Sequence, residues 1–362
     1  MIHDGHWRVQ VASADGEILS SYLARSADAH GLSPYRFFAF FLPNIPIWNR
    51  DIDRSASDPL LAQIAAHSGL TVEQLSSMTL RKAEASFKGE SRGGSLCGIS
   101  PWINSLGIFH RDRRRHGMQY CAECLKVDRA FKREWRLSFV TVCPIHESPL
   151  ADCCTHCDAP VMFHRNDTFG PNCRECGRSF AGHGSTGIPK REFDQRQMLQ
   201  AFCLDAIETG KVDVAGQVVP ASEFFRGLAI VLRLIKYKLR SEPASRPTPS
   251  VVKDCPRAQP ELLRIEGRAK LCLMLAYLLE DWPSRLLDFA TLRQAPPSVV
   301  GANQVPAWLH LTTPLFEATQ TRRRKVATSP MRQKLRQIHR KKHPGWRTAR
   351  AVLLFEAAGG RL

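Results

Sequence analysis

At 362 residues the chain is too long for one small domain and long enough for two or three units with cores of ordinary size. Its 51 Lys+Arg against 34 Asp+Glu give a formal net charge of +17 and a pI of about 9.7, a balance that favours polyanionic partners such as nucleic acid. The opening MIHDGHWRVQ lacks the basic start and apolar core of a secretory signal, and no run of about 18 apolar residues is present to span a bilayer, so a cytoplasmic, nucleoid-associated protein without a membrane partner is expected.

Residues 17–42 carry apolar positions at helical spacing, interrupted at HGLSP. Gly31 is placed to end one helix and Ser33 to cap the next, with Pro34 in its first turn, which predicts a helical hairpin. A second pair follows in DPLLAQIAAHSGLTVEQLSSM. Here Asp58 and Pro59 are expected as N-cap and first helical residue, Gly69 as the break, and Thr71 to Gln74 as a capping box. Two short helices about a Gly turn have the outline of a helix-turn-helix. Glu73, and the lack of Arg or Lys from Thr71 to Leu80, weigh against phosphate contact there and favour packing or protein binding.

The basic stretch HRDRRRHG at 110–117 leads into the cysteine-rich segment. In a reducing compartment the twelve cysteines of the chain argue for metal ligation or buried thiols rather than disulfides. Four pairs of ligand-type residues, each with two residues between its members, follow one another. They are Cys121 with Cys124, Cys143 with His146, Cys154 with Cys157, and Cys173 with Cys176. Such a turn presents two donors from one knuckle, and two knuckles close a tetrahedral zinc site. Pairing neighbours in order predicts a first site of Cys121, Cys124, Cys143 and His146, and a second of Cys154, Cys157, Cys173 and Cys176. Both would be structural Zn2+ ions, because each ligand set is already full. Cys153 and His156 do not fit the spacing and are left beside the second site. Cys97, Cys203, Cys255 and Cys272 have no near partner and are expected as buried thiols.

Downstream, FDQRQMLQAFCLDAIETG, SEFFRGLAIVLRLIKYKLR and PELLRIEGRAKLCLMLAYLLEDW have apolar residues three and four apart and predict helices. A segment with five prolines separates the last two. From Thr321 to Arg350 there are twelve Lys or Arg and no acid. Within it Ser329 and Pro330 can start a helix whose Met331, Leu335 and Ile338 share a face. The cations there, Arg322, Arg323, Arg324, Lys325, Arg332, Lys334, Arg336, Arg340, Lys341 and Lys342, are the candidate nucleic-acid contacts, with Trp346 in the same run. The expected organisation is a mainly α, multidomain chain: a helical region with a helix-turn-helix-like unit over 1–117, a tandem zinc-finger or zinc-ribbon module over 118–180, and a helical domain with a basic tail over 193–362. No phosphate-binding G-x-x-x-x-G-K-[ST] loop, G-x-S-x-G elbow or H-E-x-x-H helix occurs, and the acids form no catalytic set, so no enzyme is expected.

The segment YCAECLKVDRAFKREWRLSFVTVCPIHESPLADCCTHC resembles the core of the TniQ/TnsD family of transposon proteins. The shared features are a Cys knuckle, an Asp shortly after it, an Arg-x-Trp-Arg element, Cys-x2-His, Leu and a second knuckle. LSSYLARSADAHGLSPYRFF is similar to the family's N-terminal Ser-hydrophobic-hydrophobic-x-Arg helix, with Ser21 and Arg25 at its polar positions. Ala122 stands where proline is frequent and Tyr22 where tryptophan is usual, and neither change removes a ligand. The resemblance covers about the first half of the chain. It implies a target-selection protein that marks an insertion site, through DNA or through a CRISPR effector complex, and recruits the transposon AAA+ ATPase (TnsC/TniB-like). It also implies dimers. A sequence-specific zinc-ribbon or helix-turn-helix transcription regulator is the alternative expectation.

Overall fold

The computed structural model describes residues 6–88, 99–166, 170–181, 187–241, 258–290 and 305–312. Cys97, Cys255 and the basic segment from Thr321 to Arg350 lie outside these residues. The described residues are mainly helical, with three two-stranded antiparallel hairpins.

The N-terminal unit comprises α1 (Leu19–Ala29), α2 (Pro34–Phe41), α3 (Ile52–Ser55), α4 (Asp58–Ser68), α5 (Val72–Ser77) and α6 (Arg81–Lys88). The chain turns between α1 and α2 at Gly31, and Ser33 occupies the N-cap of α2 with Pro34 next, although the Ser33 side chain makes no capping hydrogen bond. The start of α4 differs by one residue from the expectation. Ser57 is the N-cap and accepts from the Leu60 N–H at 3.4 Å, which moves Asp58 and Pro59 into the first turn. Two adjacent residues of capping type were available, and the one whose side chain reaches back won. Gly69 ends α4 in the left-handed region at φ +72°, where a Cβ is disfavoured. Thr71 and Gln74 form the expected reciprocal capping box, with bonds of 3.2 and 2.8 Å.

These helices enclose an aromatic-rich core of Trp7, Tyr22, Phe37, Phe38 and Trp48 with Leu61, Ile64 and Leu75. Truncating Phe38 there to Ala is worth about 3–5 kcal/mol by the usual cost of a lost aromatic core residue. Helix α1 lies between two cores. Its Leu19, Tyr22, Leu23 and Ala27 face this first one, while Ile18 at its N-cap and Ala24 belong to a second. The serines buried along it are all satisfied: Ser20 by Asp53, Ser21 by Glu17 and Ser26 by the Tyr22 carbonyl.

The second core joins the cysteine-rich segment to the C-terminal helices α8 (Lys190–Thr209), α9 (Ala221–Ser241) and α10 (Ile265–Glu280). Phe225 of α9 is central to it, 4.7 Å edge-on from Phe87 of α6 and stacked on Phe139 at 5.8 Å. Helices α8 and α9 begin and end within about three residues of their expected bounds, α10 starts only at Ile265, after a separate short 3-10 turn over Pro260–Leu262, and Cys203 and Cys272 are buried as expected. Sequence periodicity missed the hairpin that joins α8 to α9, in which β5 (Lys211–Val214) pairs with β6 (Gln217–Pro220). It missed as well the short α11 (Ser284–Ala290), α6, and the hairpin of β1 (Ile108–Phe109) with β2 (Asp112–Arg113).

Polar groups seat the C-terminal helices on the cysteine-rich segment. Gln200 accepts from the N–H groups of Thr141 and Val142 at 3.2 and 3.4 Å, and Arg196 donates to the Thr141 carbonyl at 2.9 Å. Arg268, wholly buried, donates to Asp152 at 3.0 Å and Gln119 at 3.1 Å. Asp152 also accepts from the Ile265 N–H at 2.7 Å, so a side chain from the cysteine-rich segment serves the otherwise orphaned first turn of α10.

Candidate functional site

The eight predicted ligands gather into the two predicted groups. Within each, one donor atom per residue lies within 4.8 Å of all the others. In the first group Cys121 stands at the N-cap of α7 (Ala122–Val127) and Cys124 one turn along it. Cys143 ends β3 (Val142–Cys143), which pairs with β4 (Ser148–Pro149), and His146 sits in the turn between those strands. Local sequence accounts for this placement: the two-residue spacing brings Cys124 back over Cys121 on a short helix, while the tight hairpin folds His146 against Cys143. Nδ1 of His146 lies 3.5, 3.3 and 3.6 Å from the sulfurs of Cys121, Cys124 and Cys143, and Cys124 and Cys143 are 3.6 Å apart.

In the second group the sulfurs of Cys154 and Cys176 are 3.6 Å apart, and those of Cys157 and Cys173 are 3.5 Å apart. Its two knuckles repeat one backbone design. The Asp158 N–H returns to the Cys154 carbonyl at 2.9 Å, and the Gly177 N–H to that of Cys173 at 2.9 Å. Asp158 and Gly177 both take positive φ, +60° and +72°, to make the turn.

These separations match a metal site and exclude a disulfide. A disulfide requires sulfurs about 2.05 Å apart. Zinc bonds of about 2.3 Å to sulfur and about 2.0 Å to nitrogen give a tetrahedron with edges of about 3.8 and about 3.5 Å. The two clusters therefore fit two structural zinc sites. All three cysteines of the first are buried, with His146 partly so, whereas Cys157 and Cys176 of the second face solvent. The Arg178 N–H is the main influence that lowers the Cys176 thiol to about 7, toward the thiolate that a metal takes.

Cys153 is outside the second cluster, as the spacing requires, but it has a definite place. Its sulfur accepts from Arg264 at 2.9 Å, and burial pushes the thiol up to about 12. Arg264 also spans Asp152 at 3.2 Å and Asp158 at 2.8 Å, tying α10 to the first knuckle of that cluster. Sequence reasoning missed this link, because Arg264 lies more than a hundred residues away and carries no spacing signal.

The Arg-x-Trp-Arg element, Arg133 to Arg136, is an internal clamp. Trp135 is buried, and Arg136, with no exposed surface, donates to Asp51 at 2.6 Å and Asp53 at 3.0 Å of the α3 segment and to the Asn104 carbonyl at 3.1 Å. Asp53 in turn accepts from the Ser20 N–H and hydroxyl at 2.7 and 2.9 Å. Burial and the charge of Asp51 push Asp53 up to about 6. For Asp51 burial acts upward too, but the Arg136 guanidinium outweighs it and holds the carboxyl below its ordinary value. Arg25 pairs with Glu17 at 2.7 Å, so the polar signature of α1 is likewise used inside the molecule.

Residues 8–150 match the model of the TniQ family. The chain carries a TniQ domain. The matched residues contain the whole first cluster and the Arg136 clamp and end before Cys154, so the second cluster lies beyond them. No curated protein matches the chain. A TniQ domain supports a general role in target selection for transposition, in a family that interacts with DNA and with transposon machinery. Among the described residues no helix is long and apolar enough to cross a membrane. The candidate nucleic-acid contacts from Arg322 to Lys342 all lie outside the described residues.

Proposed function

We propose that this chain is a non-enzymatic adaptor of DNA transposition that marks the insertion site and recruits the transposon's AAA+ ATPase. The observation that carries the reading is the TniQ match over residues 8–150, with its metal cluster and Arg136 clamp intact. In this reading 1–117 and 118–180 form a rigid, metal-braced body, and 193–362 supplies further helical surface and the basic tail. The tail cations, among them Arg340, Lys341 and Lys342, hold DNA phosphates without reading sequence, so specificity comes from a partner such as a CRISPR effector complex or from another surface of the chain. The regulator reading loses support at its central element. Helix α5 has only six residues and no cation, too little to lie in a major groove and contact phosphates on both sides.

The test is binding of the purified chain to random duplex DNA across a salt series, with and without residues 321–362, together with co-purification of the AAA+ ATPase encoded beside it. Salt-sensitive, sequence-blind binding that disappears with the tail, and an ATPase that co-elutes, are expected. Tight binding to one selected sequence without the ATPase would put direct readout and the regulator reading ahead, and an ATPase that fails to co-elute would refute the adaptor.

A further inference from the structure

A pocket of about 200 Å3 opens between the N-terminus of α2 and the second metal cluster, and four arginines line it: Arg36, Arg111, Arg165 and Arg174. They come from four places in the chain. Arg36 lies in the first turn of α2, Arg111 at the tip of the β1–β2 hairpin, Arg165 after Phe163–His164, and Arg174 inside the Cys173–Cys176 knuckle. Two carboxylates answer them. Asp112 pairs with Arg165 at 2.8 Å, and Glu175 approaches Arg174 no closer than 3.9 Å. Among the described residues Arg36 and Arg111 pair with no carboxylate, and Arg111 instead lies over the ring of Tyr35 at 4.4 Å.

Converging guanidiniums repel one another, and the contacts that hold three of them, Arg165 with Asp112, Arg174 with the Arg165 carbonyl at 2.7 Å and Arg111 over Tyr35, leave more positive than negative charge around the pocket. The backbone is also held in an unfavourable form to achieve it. His110 and Arg111 both have positive φ, +45° and +73°, in a two-residue hairpin turn that usually takes Asn or Gly. The start of α2 adds its own positive end, since Ser33 supplies no side-chain cap there.

The floor of the pocket is aromatic. Trp48 stacks on His164 at 5.1 Å, and His164 donates from Nε2 to the Arg111 carbonyl at 3.1 Å. Burial, with the nearby Arg113 charge, holds this imidazole well below its usual value, so it serves as a neutral ring. Past Tyr35 and Trp48 the pocket runs into a wider groove of about 550 Å3, whose exposed lining mixes Tyr35, Pro43 and Pro46 with Asn44, Asn49 and His110 above the buried Phe38 and Leu42.

We propose that this pocket binds backbone phosphate of an unpaired nucleic-acid strand, with a neighbouring base lying in the adjoining groove beside the exposed Tyr35. Guanidinium forks match phosphate oxygens, which explains the four arginines. The adjoining groove decides between strand forms, because a base inside a duplex has no free face to place there. An acidic peptide would use the cations but not the groove. The proposal deepens the adaptor reading, and rests on it for the presence of nucleic acid.

The experiment is fluorescence anisotropy of the full chain with a labelled single-stranded oligonucleotide, a duplex of the same sequence, and a polyglutamate peptide. It is run on the wild type, on Arg36→Gln with Arg111→Gln, and on Arg174→Gln. Each variant is repeated in a background with Arg340, Lys341 and Lys342 changed to Ala, so that the tail does not mask the pocket. Zinc content and melting temperature establish that the variants are folded. Expected is a loss on the order of tenfold for the single strand in each pocket variant, a salt slope shallower by about 0.7 per phosphate contact removed, and a smaller change for duplex. Unchanged single-strand affinity in folded variants overturns the pocket. Equal losses on single strand and duplex overturn the unpaired strand, and polyglutamate bound as well as DNA overturns nucleic acid as the ligand. Loss of duplex binding in the tail variant with none in the pocket variants removes the pocket and leaves the adaptor reading standing.

Discussion

Replacing Arg136 by Met removes one partner of a buried ion cluster and leaves the other two. The side chain has no exposed surface and donates to Asp51 at 2.6 and 3.2 Å, to Asp53 at 3.0 Å and to a carbonyl at 3.1 Å. Met fills most of the volume, so cavity formation is a minor part of the effect. The main cost is two carboxylates without their cation, one of them entirely buried. Breaking a buried pair in this way costs about 3–5 kcal/mol. The three-residue replacement Asp51→Asn, Asp53→Asn, Arg136→Met should be less damaging than the single change, because neither carboxylate is then left charged without the Arg136 hydrogen bonds, while the buried Arg113 beside them stays in both variants. Urea unfolding followed by tryptophan fluorescence, at fixed free zinc, measures both. A single variant within about 1 kcal/mol of wild type, or a triple variant worse than the single, would refute the view that charge burial holds α3 to this segment.

Asp53 also gives the cluster a pH signature. A carboxyl raised from 3.8 to about 6 in the folded protein contributes stability that is full below pH 3.8 and is lost as pH rises through about 6, so the difference between wild type and Asp53→Asn should shrink or reverse over that interval. A pH-independent difference between those two proteins would show that Asp53 does not titrate there. Cys124→Ser and Cys157→Ser should each lower bound zinc from two to about one per chain, with Cys124→Ser the more destabilising because its site lies within the core, whereas Cys153→Ser should keep both ions. Metal analysis by emission spectrometry checks this, and loss of zinc from the Cys153 variant would mean that the second ligand set is wrong. Gly227→Ala should lower the melting temperature despite the better helix propensity of Ala. A Cβ there would come within 2.2 Å of the Trp308 ring, which itself donates to the Glu223 carbonyl at 3.2 Å, and a melting temperature at or above that of wild type would show that this ring moves freely.

What could be read from the sequence was what short spacing encodes. The capping box at Thr71 and Gln74 is a four-residue code, and the structure forms both of its bonds. The metal clusters are legible for the same reason. Each knuckle is a local turn, and the number of consecutive knuckles leaves neighbour pairing as the simplest closure. The hairpin of β1 and β2 was not legible, because its turn residues are His110 and Arg111 rather than the Asn or Gly that the geometry favours. The links made by Arg136 to Asp51, by Arg264 to Cys153 and by Arg268 to Asp152 join residues 85, 111 and 116 positions apart, and no periodicity records such pairs.

These long-range links bear on where function can lie. The residues that make the chain resemble its family, from Ser21 and Arg25 to Trp135 and Arg136, are spent inside the molecule, on α1, α3 and the strands beside the first metal cluster. They fix the orientation of the N-terminal helices against the metal-braced segment. These motif residues thus serve the scaffold, and exposed side chains beside them are where partner contacts are to be sought. The second cluster, which lies beyond the matched segment, is the clearest case. Its knuckle between Cys173 and Cys176 carries Arg174 to the mouth of the arginine pocket opposite Arg36 of α2. The arginine pocket thus spans the matched residues and the segment that follows them, and that seam is the first place to look for partner contacts.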